Sequence, residues 1–292
     1  MTELMSRRCS ILTDSCPNIV ERFLILPDHL FLSHCPNKAL EYRFREHQER
    51  ENGNFFGTLI RVKDYEDPAL IAQWIQQIIS ALEYVEKMGF CHNDIQTTNC
   101  LLDGSLNLKL TDFGRATLIG QLLEYTFAPW ARQLTAGPLR GTYGLCSART
   151  EQFAVGTLLY YMVYGHEPYE DISLDGPELG RRFENMEFPE LNRHEIFDGL
   201  ISACWHDVYP IMALVAYDFR RKTKDIASVA EYEAIDRTKE KKACEALVRR
   251  GLLKPDLALD FQPVWRRYLH AARRTLIWWI LAGLSKRLRL WF

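Results

Sequence analysis

The chain has 292 residues, 25% of them charged, with 36 Lys and Arg against 38 Asp and Glu for a formal net charge of −2. That length supports one large core or two modest lobes, and the near-neutral balance gives no global attraction to nucleic acid. Eight cysteines, at 9, 16, 35, 91, 100, 146, 204 and 244, show neither pairing rhythm nor zinc spacing, which fits reduced thiols in an intracellular protein.

The N-terminus shows no apolar signal-peptide core, and residues 1–14 read as a ragged start. Asn18–Leu26 reads as a strand and Leu30–Ser33 as a second, ending at Cys35-Pro36-Asn37. Lys38–Arg50 reads as a short helix with Leu40 and Phe44 four apart, and residues 51–57 as a loop. Pro68 opens a helix that runs to Met88 and stops at Gly89. Its Leu70, Ile71, Trp74, Ile75, Ile78, Ile79, Leu82 and Val85 form an apolar stripe too wide for a surface helix, so it is expected to be buried.

The stretch from Cys91 to Gly114 organises the rest. His92, Asp94 and Asn99 form one polar cluster, and Asp112, Phe113 and Gly114 a second. Between them an Asp103-Gly104 turn is flanked by Leu101 and Leu102 and by Leu106, Leu108 and Leu110, which predicts a hairpin. The hairpin would bring Asn99 near Asp112, two oxygen-bearing side chains suited to a hard cation such as magnesium.

Residues 115–150 form a long irregular segment with Pro129, Gly137, Pro138, Gly141 and Gly144, a length that usually carries function or disorder. Glu151–Tyr164 reads as an apolar helix closed by Gly165, and 170–195 as acidic loop around two short helical pieces. Ile196–Trp205 reads as a further helix, and 225–250 as a charged, solvated one. Residues 261–292 carry seven Lys or Arg, no acidic residue, and Trp265, Tyr268, Trp278, Trp279, Trp291 and Phe292. They read either as an amphipathic helix making peripheral contact with an anionic membrane or as a packing helix. The longest apolar run, Leu276 to Leu284, falls short of the ~20 residues that span a bilayer.

The order H-N-D-I-Q-T-T-N over 92–99, a hairpin, then D-F-G at 112–114 resembles the eukaryotic-type protein kinase family, whose catalytic loop reads H-R-D-L-x-x-x-N. The resemblance implies an α+β, protein-kinase-like fold with a mainly helical large lobe and an incomplete N-terminal β lobe. It divides the chain into a partial small lobe (1–36), a kinase-like large lobe (37–250) and a basic aromatic C-terminal tail (251–292). It implies ATP and Mg2+ as cofactors and a protein Ser/Thr hydroxyl as acceptor. Asp94 would take the acceptor's proton, and Asn99 and Asp112 would hold metal and nucleotide. His92, Phe113, Gly114 and Glu151 would be structural, the His92 ring packing on Phe113. Glu151 would stand where the family's Asp holds the catalytic-loop backbone.

The chain also departs from the pattern. Asn93 replaces an Arg that meets a phosphorylated activation loop, and Gln96 stands where serine/threonine kinases carry Lys. The A-P-E is absent. Before Gly89 the only glycines are Gly53 and Gly57, and before the central helix the only lysines are Lys38 and Lys63. No Gly-rich phosphate loop, strand lysine or partner helix is therefore expected. Two readings stand: a phosphotransferase with a truncated small lobe, and a pseudokinase scaffold that binds a protein partner. No nucleic-acid partner is expected.

Overall fold

In the computed structural model the described residues are 16–250 except 27, 28, 125, 175, 229, 233 and 234. The expectations for residues 1–14 and for the tail 251–292 lie outside them. The first elements are β1 (Arg22–Leu26), β2 (His29–Leu32), α1 (Leu40–Glu46), β3 (Gln48–Arg50), β4 (Leu59–Val62) and α2 (Pro68–Lys87). There follow β5 (Phe90–Cys91), β6 (Cys100–Leu102), β7 (Leu108–Leu110), β8 (Thr117–Leu118), α3 (Ala148–Tyr164), α4 (Gly176–Glu184), α5 (Glu195–Trp205), α6 (Met212–Thr223) and α7 (Arg237–Arg249). The fold is α+β, seven helices with four two-stranded antiparallel sheets among the described residues.

The chain divides into two compact units. One holds the antiparallel β1–β2 hairpin and α7, with Leu24, Leu26, Cys244 and Val248 buried together beside Phe23 and Phe31. The other holds residues 16–21 and 34–233 and carries the main core.

α2 starts where its sequence says it should. The Asp67 side chain accepts from Ala69 N at 2.8 Å, and Pro68 occupies the first turn, where its missing N–H costs nothing. Trp74, Ile75, Ile78 and Leu82 are buried, as expected. So are Gln73 and Gln77, which the apolar pattern passes over. Gln77 Oε1 accepts from Leu108 N at 2.8 Å, its Nε2 donates to Asn107 Oδ1 at 2.9 Å, and Trp74 Nε1 donates to Leu106 O at 2.8 Å. The polar side chains of α2 thus clamp the β6–β7 hairpin.

α3 is buried along almost its whole length and packs against α5. It begins three residues earlier than the apolar run, because Ser147 and Thr150 close a reciprocal capping box. Gly156 permits the approach of α5. A Cβ there would lie 2.8 Å from Cys204 Cβ and 3.1 Å from Trp205 Cδ1. Trp205 is fully buried and donates from Nε1 to Thr157 Oγ1 at 3.1 Å.

Three expectations need correction, and one helix was missed. The first strand begins at Arg22 rather than Asn18, because Asn18 and Val20 spend their main-chain groups on Leu110: Leu110 N donates to Asn18 O at 2.8 Å and Val20 N to Leu110 O at 3.0 Å. The helix expected over 38–50 ends at Glu46, and Gln48–Arg50 pairs with Leu59–Val62 instead. Gln48 and Arg50 face inward, where Arg50 donates to Gly57 O at 2.7 Å and reaches Glu170, so polar residues line the buried side of that hairpin. α6 was not anticipated, although Met212, Val215, Ala216 and Phe219 recur at helical spacing on its buried side. The charged helix expected over 225–250 is confined to Arg237–Arg249.

Candidate active site

The loop over 92–99 leaves β5 and enters β6 through a single 3-10 turn at Thr97–Asn99. β6 pairs with β7, Cys100 opposite Leu110, so the next rung falls between Asn99 and Thr111, where Thr111 N donates to Asn99 O at 3.0 Å. That rung sets Asn99 opposite Thr111, the residue before Asp112, at the open end of the hairpin. Asn99 Nδ2 also donates to Asp94 O at 2.8 Å and Asp94 Oδ2 at 2.9 Å. The fold therefore joins Asp94 to Asn99 directly and sets Asp112 one residue beyond the Asn99–Thr111 rung.

The frame under them is built from buried groups. His92 is fully buried, and its ring meets Phe113 edge-on, with centroids 4.8 Å apart. Its Nε2 lies 2.9 Å from the Thr111 carbonyl, which only accepts, and its Nδ1 accepts from Asp94 N at 3.3 Å. Those two bonds define a neutral ring protonated at Nε2. Burial pushes the imidazole below its usual range. With both nitrogens committed to main chain, His92 has none left to abstract a proton.

Glu151, buried at the start of α3, accepts from His92 N at 2.8 Å and from Asn93 N at 3.0 Å. Each carboxylate oxygen takes one loop N–H. Burial raises its pKa to about 7, against the pull of those two bonds. Asn93 sits at φ 63, a left-handed conformation that Asn tolerates better than most residues.

Asp112 also adopts left-handed backbone, φ 60 and ψ 71, and its Oδ1 accepts from Gly114 N at 3.1 Å. A Cβ on residue 114 would stand 2.9 Å from that oxygen, so a larger residue there would push the Asp112 carboxylate aside. The same turn projects Arg115 to Asp94, Nη1 to Oδ1 at 3.0 Å. Gln96 Nε2 reaches the same oxygen at 3.2 Å. Neither Arg115 nor the hydrogen-bonding role of Gln96 is visible in the motif, which records spacing along the loop and not what folds back onto it.

The oxygens suit a hard cation. Asn99 spends its amide nitrogen on Asp94, which turns its oxygen away from that residue. Among the described residues no three His, Cys, Asp or Glu side chains gather at metal-binding spacing, so a cation here would rest on an amide and a carboxylate plus substrate oxygens, a donor set that fits magnesium.

Beyond Asp94, Ile95, Leu123, Phe127, Trp130 and Ala154 line a small cavity of about 20 Å³. Its outer wall is the long segment after β8. The segment is anchored where Leu123 N donates to Gly144 O at 2.9 Å and Cys146 N to Gln121 O at 2.8 Å. Thr157 Oγ1 donates to Pro129 O at 2.8 Å, and Arg132 and Arg149 both meet Asp207, the latter at 2.8 Å.

A buried helix leading into an acid-bearing loop, a hairpin, and a D-F-G turn at its open end define the class as protein-kinase-like. The family described as the protein kinase domain matches residues 41–203, more than half the chain, and the chain belongs to that family. It is similar to human NUAK family SNF1-like kinase 1, 30% identical over 161 residues, covering 53% of this chain and 22% of the relative. It is also similar to mouse Citron Rho-interacting kinase, 30% identical over 149 residues, covering 45% of this chain and 7% of the relative. The tyrosine-protein kinase transforming protein Abl of Abelson murine leukemia virus is 32% identical over 158 residues, covering 52% of this chain and 21% of the relative. The matched stretches are thus less than a quarter of each relative's length. Among the described residues no helix is long and apolar enough to cross a membrane.

Proposed function

We propose that the chain is a phosphotransferase that moves the γ-phosphate of ATP to a protein Ser/Thr hydroxyl with magnesium. Asp94 accepts the acceptor's proton. Asn99 and Asp112 hold the cation, which when bound neutralises phosphate oxygens. His92, Phe113 and Gly114 fix the turn that aims Asp112, and Glu151 fixes the loop that aims Asp94. The observation that carries this reading is the bond from Asn99 Nδ2 to Asp94 Oδ2 at 2.9 Å, on a residue whose backbone pairs with the neighbour of Asp112. Free thiols at Cys35, Cys91 and Cys146 support an intracellular setting.

The test is nucleotide binding with and without magnesium, then transfer to a protein substrate. Asp112→Ala is expected to lose magnesium-dependent binding by roughly tenfold or more. Asp94→Asn is expected to keep binding and lose transfer by roughly a hundredfold or more. Turnover unchanged in both variants would remove the assigned roles.

A second reading, a pseudokinase scaffold, is favoured by the lysines. Lys38 Nζ lies over the Tyr42 ring, 5.2 Å from its centroid, and Lys63 is exposed beyond β4. Among the described residues neither pairs with Asp94 or Asp112. A wild-type chain that binds no nucleotide with magnesium selects this reading.

A further inference from the structure

We infer that Arg115 supplies, from the D-F-G turn, the positive charge that faces the transferring phosphoryl group, in place of the charge that Gln96 lacks. The inference rests on the phosphotransferase reading. A loop built from Asn93, Asp94, Ile95 and Gln96 carries one negative charge and no positive one. A phosphoryl group arriving beside Asp94 would meet only repulsion from it, and charge accumulates on the equatorial oxygens during transfer.

The fold answers that deficit from another element. Arg115 Nη1 and Gln96 Nε2 converge on the same oxygen, Asp94 Oδ1, at 3.0 and 3.2 Å. The neutral donor is in place on the loop, and the cation beside it comes from across the hairpin. Arg115 is held there through its backbone. Its carbonyl accepts from Thr117 Oγ1 at 3.1 Å and Asn93 Nδ2 at 3.5 Å, and Ala116 N closes the 3-10 turn onto Phe113 O at 3.1 Å. The Arg115 side chain is 45% exposed while that of Asp94 is 13% exposed, and both line the cavity beside the catalytic loop. A planar guanidinium can bridge a carboxylate and a phosphoryl oxygen in a way a point charge cannot.

In the step itself, the acceptor oxygen forms its bond to phosphorus as the bond from phosphorus to the bridging oxygen breaks. The diphosphate leaves with that electron pair, and the acceptor proton passes to Asp94. Arg115 stays protonated throughout and contributes by position and charge. Its sensitivity should therefore track the terminal phosphate.

Calorimetric binding of the non-hydrolysable triphosphate analogue AMP-PNP and of ADP, each with magnesium, reads this without turnover. Arg115→Ala is expected to weaken AMP-PNP by about tenfold and ADP by no more than about twofold. Adding Gln96→Lys to that variant should restore AMP-PNP affinity to within about threefold, since a cation returns to the same oxygen. Gln96→Lys alone, with Arg115 intact, should change it by no more than about twofold. Equal losses for both nucleotides in Arg115→Ala would overturn the inference and leave the phosphotransferase reading standing. So would tighter binding, which would make Arg115 a latch on Asp94, or a large gain from Gln96→Lys alone. Wild-type protein that binds neither nucleotide would remove both.

Discussion

Glu151 puts a carboxylate where burial disfavours its charge and where two loop N–H groups demand it. The two demands separate stability from function. The carboxyl has its folded-state value raised to about 7 from an ordinary 4.5, so the folded chain holds that proton over a window in which the unfolded chain releases it. Its contribution to stability is complete below pH 4.5 and is lost as pH rises to about 7, a change of up to about 3 kcal/mol. Glu151→Gln resembles the protonated form: one oxygen accepts, and an NH2 faces the second N–H. The variant is expected to match wild type near pH 5, and near pH 8 to exceed it in stability while losing transfer. Denaturant melts at the two pH values check this; parallel curves would refute it. The meeting of Asp94 with Asn99 was legible in the sequence because it follows from spacing along one loop, whereas Glu151, 58 and 59 residues from its partners, was readable only through the family resemblance. Arg115 was not, because its partner lies 21 residues away and no local rule links them.

At the scale of elements, the β6–β7 hairpin depends on α2 as much as on its own turn. Asp103 organises the turn, its Oδ1 accepting from Ser105 N at 3.0 Å and Asn107 N at 2.8 Å. Gln77 then takes Leu108 N at 2.8 Å from a neighbouring helix. Gln77→Leu would leave that buried N–H without its acceptor and is expected to cost roughly 1–3 kcal/mol. Faster hydrogen exchange at Leu108 would report it, and protection equal to wild type would argue against the clamp. The turn was readable from Asp103-Gly104, whereas the clamp was hidden inside an amphipathic pattern in which Gln counts as polar and outward. The β3–β4 hairpin escaped for the same reason, since Gln48 and Arg50 are buried polar residues.

Across the whole molecule, the close approach of α3 and α5 fixes one end of the 92–99 loop, because Glu151 lies on α3. Gly156→Ala would place a methyl group 2.8 Å from Cys204 Cβ. Overpacking there costs about 1–3 kcal/mol, more than the roughly 1 kcal/mol that alanine gains over glycine within a helix. A lower thermal midpoint is expected, and an unchanged one would contradict the packing. The family resemblance, the buried central helix and the meeting of Asp94 with Asn99 were readable from the amino-acid order, since the motifs stand in sequence and short-range spacing along one loop leaves few other geometries. Which cation meets Asp94, which glutamines hold the hairpin and how Arg132 and Arg149 share Asp207 were decided only by the tertiary structure. Those contacts join residues tens of positions apart, and their energies depend on burial that no linear pattern records.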